Sequence, residues 1–187
     1  FVLDLKFGKA VINSLNIGDI TIAYSDLYVK HAKQLSINSK SSEVNIDYIN
    51  VLKTQSKRDK YYVTETNYLY GQTYFCDYWV YLLNKEVSME MKYGSLHLEE
   101  IPSTFSFLNI DSKYTELNFN FKKGTSYQLD ITHENVNLVY PKELAKIEKK
   151  TVEDDKFITY GKIGNAGTSA KLRIKAQGRA KKIYHKK

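Results

Sequence analysis

Cys76 is the one cysteine among 187 residues, and it stands in the aromatic run Tyr74-Phe75-Cys76-Asp77-Tyr78-Trp79. A thiol nucleophile needs a histidine base and an electropositive setting that favours the thiolate. The four histidines, His31, His97, His133 and His185, are scattered, and no catalytic signature surrounds any of them. Cys76 is therefore read as a small buried apolar residue. A zinc site needs three or four ligands, whereas the only His–carboxylate neighbours are His97-Leu98-Glu99 and His133-Glu134. On a strand His97 and Glu99 share a face, which gives two ligands, and both pairs are read as solvated outer-face residues. Glycosidic cleavage needs one carboxyl as acid and another as base, and Asp154-Asp155 is the adjacent acidic pair that comes into question. Gly161, Gly164 and Gly167 recur every third residue without the Lys-Ser/Thr or the following helix that a phosphate loop requires, so they are read as turn formers. No catalytic residue, metal or cofactor is expected.

Binding chemistry has better candidates. Tyr74, Tyr78, Trp79 and Tyr81 form the densest aromatic cluster, and they are the expected binding residues. With a period of two, Tyr78 and Trp79 face opposite ways. Phe7, Tyr24, Tyr93 and Tyr114 occupy equivalent turn positions in a repeat. Stacked inside, they would form an aromatic ladder at the coil corners, which is the expectation here; outside, they would make a strip suited to sugars or a protein partner. The net charge of +7 is localised: eight of the 28 Lys/Arg lie between Lys171 and Lys187 with no acids, leaving twenty basic residues against 21 acidic ones. The body is near neutral, so no nucleic-acid partner is expected. The run from Arg179 to Lys187 is read as a solvated, frayed tail able to attract anions.

The elements that must position these residues come from a recurring unit of short alternating strand, turn, and short alternating strand. It appears in Leu35–Ile46, in Val87–Leu98 and in Leu108–Phe119, whose apolar positions superpose without gaps. Leu52–Val63 keeps the spacing, Leu5–Ile12, Ile20–Val29 and Leu129–Leu138 have shorter turns, and Leu69–Val80 is the most aromatic version. Such units cannot bury their apolar faces alone and must stack. An antiparallel meander also alternates, but hairpins favour Asn-Gly or Asp-Gly loops, and the chain has neither. The turns carry Lys-Phe-Gly, Tyr-Ser-Asp, Lys-Tyr-Gly and Lys-Tyr-Thr at corresponding places. The fold expected is all-β, a single-stranded right-handed parallel β-helix (β-solenoid) with an atypical C-terminal capping coil.

Residues 1–187 are read as one domain, with regular coils over 1–141, a charged excursion without alternating strand over 142–156, and a final coil, cap and basic tail over 157–187. The longest apolar patch, Tyr78–Leu83, is far shorter than the roughly 18 residues of a membrane span. The chain opens on Phe1 with no initiator Met and no basic leader, which reads as a piece or a processed product with any export signal removed.

The Lys-aromatic-Gly turns, followed by Gly161-Lys-Ile-Gly164-Asn-Ala-Gly167 and Leu172-Arg-Ile174-Lys, resemble the adhesin β-strand-repeat families of bacterial envelope proteins, including autotransporter adhesin heads. The likeness spans Leu5 to Ile183. It implies a single-stranded right-handed β-helix on an exported protein of the cell envelope, and it carries over no catalytic residues. Arg173-Ile174-Lys175 is also similar to a polygalacturonase motif, but that family's Asn-Thr-Asp and His-Gly motifs are absent. The expected function is a non-enzymatic surface protein that binds carbohydrate, matrix or a partner protein along an elongated face. A carbohydrate-active enzyme and a structural spacer are the alternatives.

Overall fold

The computed structural model describes residues 1–153, 156–165, 167–178 and 181–185, with side chains for all of these except 148–153. The chain forms β1 (Val2–Lys6), β2 (Lys9–Ala23), β3 (Asp26–Lys40), β4 (Glu43–Lys57), β5 (Lys60–Ile101), β6 (Phe107–Phe121), β7 (Tyr127–Glu134), β8 (Leu138–Val139), β9 (Ala145–Glu153), β10 (Lys156–Ile163), β11 (Lys171–Gln177) and β12 (Lys181–His185). The expected parallel β-solenoid is what the chain adopts, with about 7 turns. Strands β1 to β6 pair in chain order, each parallel to the next. The register advances 17 residues per rung from β2 to β5, as in Asp26↔Glu43↔Lys60, and 21 residues from β5 to β6, as in Met89↔Ile110.

Alternation places one hydrophobic column on top of another. Leu35, Leu52, Leu69, Val87, Leu108, Leu172 and Leu129 are all fully buried, and so the interior is continuous along the axis. Both prolines, Pro102 and Pro141, fall outside strands, where no ladder hydrogen bond is lost. The longer rung before β6 accommodates Phe105, whose buried ring packs 5.3 Å from Phe121 and 5.8 Å from Tyr127.

The C-terminal third departs from the linear order. Strand β11 lies between β6 and β7, parallel to both: Leu172 pairs with Leu108 on one side and Leu129 on the other, and Ile174 pairs with Ile110 and Ile131. Within the final coil and cap expected over 157–187, β11 is thus an internal rung, while β10, together with β9, closes the end of the solenoid by adding antiparallel to β7. Part of the charged excursion expected over 142–156 is strand β9, entered through a 3-10 turn at Lys142–Leu144. Antiparallel pairing suits a cap, because it ends the rung progression and leaves no further parallel template. Leu108 and Leu129 are 21 residues apart, the advance of the preceding rung, so β7 carries the register of a direct neighbour of β6 with β11 intercalated between them.

The basic terminus is not frayed over its described part. Strand β12 pairs with β6 and β8, Ile183 is in the core, and Lys181 is fully buried. Its Nζ donates to the Thr115 carbonyl and, at 3.0 Å, to that of Gly178. Strand pairing takes these residues out of solvent despite their composition. Arg179, Ala180, Lys186 and Lys187 lie outside the described residues.

Candidate functional site

The coil corner explains where the aromatic residues go. Phe7, Tyr24, Ser41, Arg58, Phe75, Tyr93, Tyr114 and Asn135 all have φ between 50° and 60°, in the left-handed region that side chains normally avoid. At each of the first five of these the preceding residue also points outward and the following one turns in, so the corner is two outward residues in succession. Gly178 takes the same conformation at φ 60°, with no room for a side chain: a Cβ there would meet the Tyr114 ring at 2.7 Å. The aromatic corner residues therefore stack outside the coil, and the internal ladder expected of them is overturned. Phe7 and Tyr24 stack at 5.2 Å, Phe75 and Tyr93 at 4.6 Å, and Tyr93 and Tyr114 at 5.5 Å.

A different pair forms the internal ladder. Tyr61 and Tyr78, both fully buried, stack at 4.5 Å. The Tyr61 hydroxyl meets Ser39 Oγ at 2.6 Å, and Ser39 Oγ donates to Asp59 Oδ2 at 2.8 Å. The Tyr78 hydroxyl meets Ser56 Oγ at 2.7 Å and Thr54 Oγ1 at 3.0 Å. Gly71 leaves space for this meeting, since a Cβ on it would lie 2.3 Å from Thr54 Oγ1. Burial pushes both phenols far up from their ordinary range.

The four expected binding residues consequently do not form one patch. Tyr78 is interior. Trp79 points outward as expected, sandwiched between Tyr62 at 5.2 Å and His97 at 5.5 Å with nearly parallel planes. Its faces are covered along the axis, which leaves an edge for solvent. Tyr74 is exposed at the corner, where its hydroxyl accepts from Lys92 Nζ at 2.9 Å. Tyr81 is 58% exposed, three residues beyond the buried Tyr78.

Cys76 belongs to a ladder of inward side chains just after the corner. Gly8 N–H donates to Ser25 Oγ (3.2 Å), Ser25 N–H to Ser42 Oγ (3.2 Å), Ser42 N–H to Asp59 Oδ1 (2.8 Å) and Asp59 N–H to Cys76 Sγ (3.4 Å). Each side chain therefore satisfies a buried backbone donor one rung below. Burial pushes the Cys76 thiol up, away from the thiolate a nucleophile needs. Burial also raises Asp59, against the lowering effect of its hydrogen bonds from Ser39, Ser42 and Lys57.

The remaining candidates also resolve into structural roles. His97 is the end of the Trp79 stack, while Glu99 accepts from Asn120 at 3.1 Å. His133 is buried and stacks on Phe157 at 5.3 Å. Among the described residues no group of three potential metal ligands converges. Arg173 pairs with Asp130 at 3.3 Å, and Ile174 is core. Asp154 and Asp155 lie outside the described residues. Gly164 and Gly167 are turn residues at positive φ, but Gly161 sits inside β10 at a register shift, where a Cβ would meet the Lys146 carbonyl at 2.4 Å.

One outward face does form a concave site. Two register columns, Asp19–Ser36–Lys53–Tyr70 and Thr21–Asn38–Gln55–Gln72, run parallel to the axis and continue at Ser88 and Glu90. They line an open groove of about 590 Å³. Gln72 Nε2 donates to Glu90 Oε2 at 3.2 Å, and the Tyr70 hydroxyl donates to Glu86 at 3.3 Å. The groove presents hydroxyl, amide and carboxylate groups at regular rung spacing, about 4.8 Å. Sequence reasoning passed over these residues because each looks like an ordinary solvated strand position. Their signal is the recurrence at 21, 38, 55 and 72, always a small or amide side chain. Comparison with known proteins finds no matching family model, no matching curated protein and no matching solved structure, so what stands of the adhesin likeness is the β-solenoid itself.

Proposed function

We infer that this chain is a non-catalytic binding protein that holds carbohydrate along the outward groove of its solenoid, and that it does so on an exported envelope protein, as the resemblance to adhesin repeats implies. The observation that carries the reading is the groove itself: Thr21, Asn38, Gln55 and Gln72 in one column and Ser36 and Ser88 in the other repeat donors and acceptors along the axis. An extended glycan residue is about as long as one rung, so successive sugars meet equivalent groups. Many weak polar contacts on a rigid face, few of them decisive, give binding without a deep pocket.

The spacing of the carboxylates supports binding over hydrolysis. Asp19 and Glu90 stand at opposite ends of the groove, four rungs apart, about 19 Å at the usual rung spacing. Glycosidic cleavage uses carboxyls about 5–9.5 Å apart. The test is retention on a glycan array by the intact protein and by the variant Asn38→Ala/Gln55→Ala/Gln72→Ala. These side chains are outward, so the variant keeps the wild-type melting profile, and it is expected to lose the glycans that the wild type retains. Equal retention by the two proteins would remove the groove from the reading.

A further inference from the structure

The overall charge balance conceals a straight cationic ridge beside the groove. Lys6, Lys40, Lys57, Lys92 and Lys113 occupy the corner position just before the left-handed residue, and Arg58 is itself a left-handed residue. The register stacks them: Lys6↔Ala23↔Lys40↔Lys57↔Tyr74, with Lys92↔Lys113 above. All six are exposed. None of the six is ion-paired among the described residues. Lys40, Lys92 and Lys113 instead rest 5.2–6.0 Å from the rings of Tyr24, Tyr74 and Tyr114. Seven rungs give the ridge a length of about 29 Å.

The two flanks differ. On the groove side, two residues before the ridge, the column runs Asp4, Thr21, Asn38, Gln55 and Gln72 and continues at Glu90 and Asp111. That flank is neutral over the middle rungs beside Lys40, Lys57 and Arg58 and acidic at both ends. On the other side the column is mixed in charge, with Asp26, Glu43, Asp77 and Glu116 interleaved with Lys9, Lys60 and Ser95. We propose that the ridge binds a linear anionic polysaccharide, whose carboxylate or sulfate groups lie along Lys40, Lys57, Arg58 and Lys92 while its hydroxyls meet the amides of the groove. This rests on the carbohydrate reading of the groove and adds the charge class of the ligand.

Other polyanions fit less well. The corner aromatic rings stack on one another at 4.6–5.5 Å in two short stacks, which takes their inner faces out of the base stacking that holds single-stranded nucleic acid. A flat anionic bilayer would meet the carboxylates of both flanks together with the ridge. A single narrow chain lying on the groove side meets the neutral Thr21, Asn38, Gln55 and Gln72 over the middle rungs.

The test uses alginate, dextran sulfate and unmodified dextran with the whole protein over a salt series. The paired variants are Lys40→Gln/Lys57→Gln/Arg58→Gln and the charge-matched control Lys30→Gln/Lys33→Gln/Lys123→Gln, all at exposed positions. Salt-sensitive binding of alginate or dextran sulfate is expected, with the carboxylate and sulfate arms showing which anion is preferred. The ridge variant should bind about tenfold more weakly with about half the salt dependence, since three of six cations are gone, while the control stays close to wild type. Equal weakening in both variants would overturn the proposal and reduce the effect to net charge. Retention of neutral dextran alone, unaffected by the ridge variant, would overturn the ridge and leave the groove reading standing. Failure of the folded protein to retain any polysaccharide would overturn the groove reading and the ridge with it. Ridge-dependent binding that is tighter for duplex DNA or for phosphatidylserine vesicles would overturn the assignment to polysaccharide.

Discussion

Replacing Ile174 by alanine tests whether β11 is a true interior rung. Ile174 is fully buried, with Ile110 on the rung below and Ile131 on the rung above. Removing a buried isoleucine side chain down to Cβ costs about 2–5 kcal/mol, the lost transfer energy plus the cavity left behind. Both axial neighbours are β-branched and sit on strands held from two sides, so they cannot sink into the space. The expected loss is therefore not at the bottom of that range but about 3–4 kcal/mol. Urea unfolding of wild type and variant measures it, with Lys175→Ala as control. Lys175 is exposed on the same strand and should change stability by no more than about 0.5 kcal/mol. Because β7 holds the register of a direct neighbour of β6, β11 can open without the whole solenoid unfolding. Amide exchange should then show the variant's loss concentrated in β11 and β12. A cost below about 1 kcal/mol, together with β11 amides that exchange as fast as a loop in the wild type, would refute the intercalated rung.

Cys76→Ser should keep stability within about 1 kcal/mol, because a hydroxyl can replace the thiol both as acceptor from Asp59 N–H and as donor to the Tyr74 carbonyl. Cys76→Ala should cost about 1–3 kcal/mol in the same urea assay, since it leaves the buried Asp59 N–H unpaired. Ser41→Gly should stabilise by roughly 1 kcal/mol in thermal melting, because Ser41 holds φ 50°, a conformation that costs a side-chain-bearing residue about 1–2 kcal/mol, less the entropy lost by glycine. Burial lowers His185, which stacks on Phe121 and Tyr127. Its folded pKa lies below the unfolded value of about 6.5, so its stabilising contribution is present above pH 6.5 and lost as pH falls through the folded pKa. Stability measured between about pH 7 and 5 should fall less in His185→Leu than in wild type.

The linear alternation of Leu35, Ile37, Val44 and Ile46, repeated through Leu108–Phe119, pointed to stacked parallel rungs once joined to the absence of Asn-Gly and Asp-Gly hairpin loops and to turns at corresponding places. It also placed Tyr78 and Trp79 on opposite faces, which is where they are. Three things depended on tertiary structure. Whether the corner aromatics point in or out turns on one backbone angle, and Phe7, Tyr24, Tyr93 and Tyr114 take a left-handed φ that no composition reveals. The place of β11 was hidden because Leu129 follows Leu108 at the regular spacing, so the pattern alone cannot show that a later strand enters between them. The groove and the cationic ridge exist only once residues 17 positions apart become neighbours about 4.8 Å apart. A near-neutral body is compatible with an aligned row of cations, and it is stacking along the axis that aligns them.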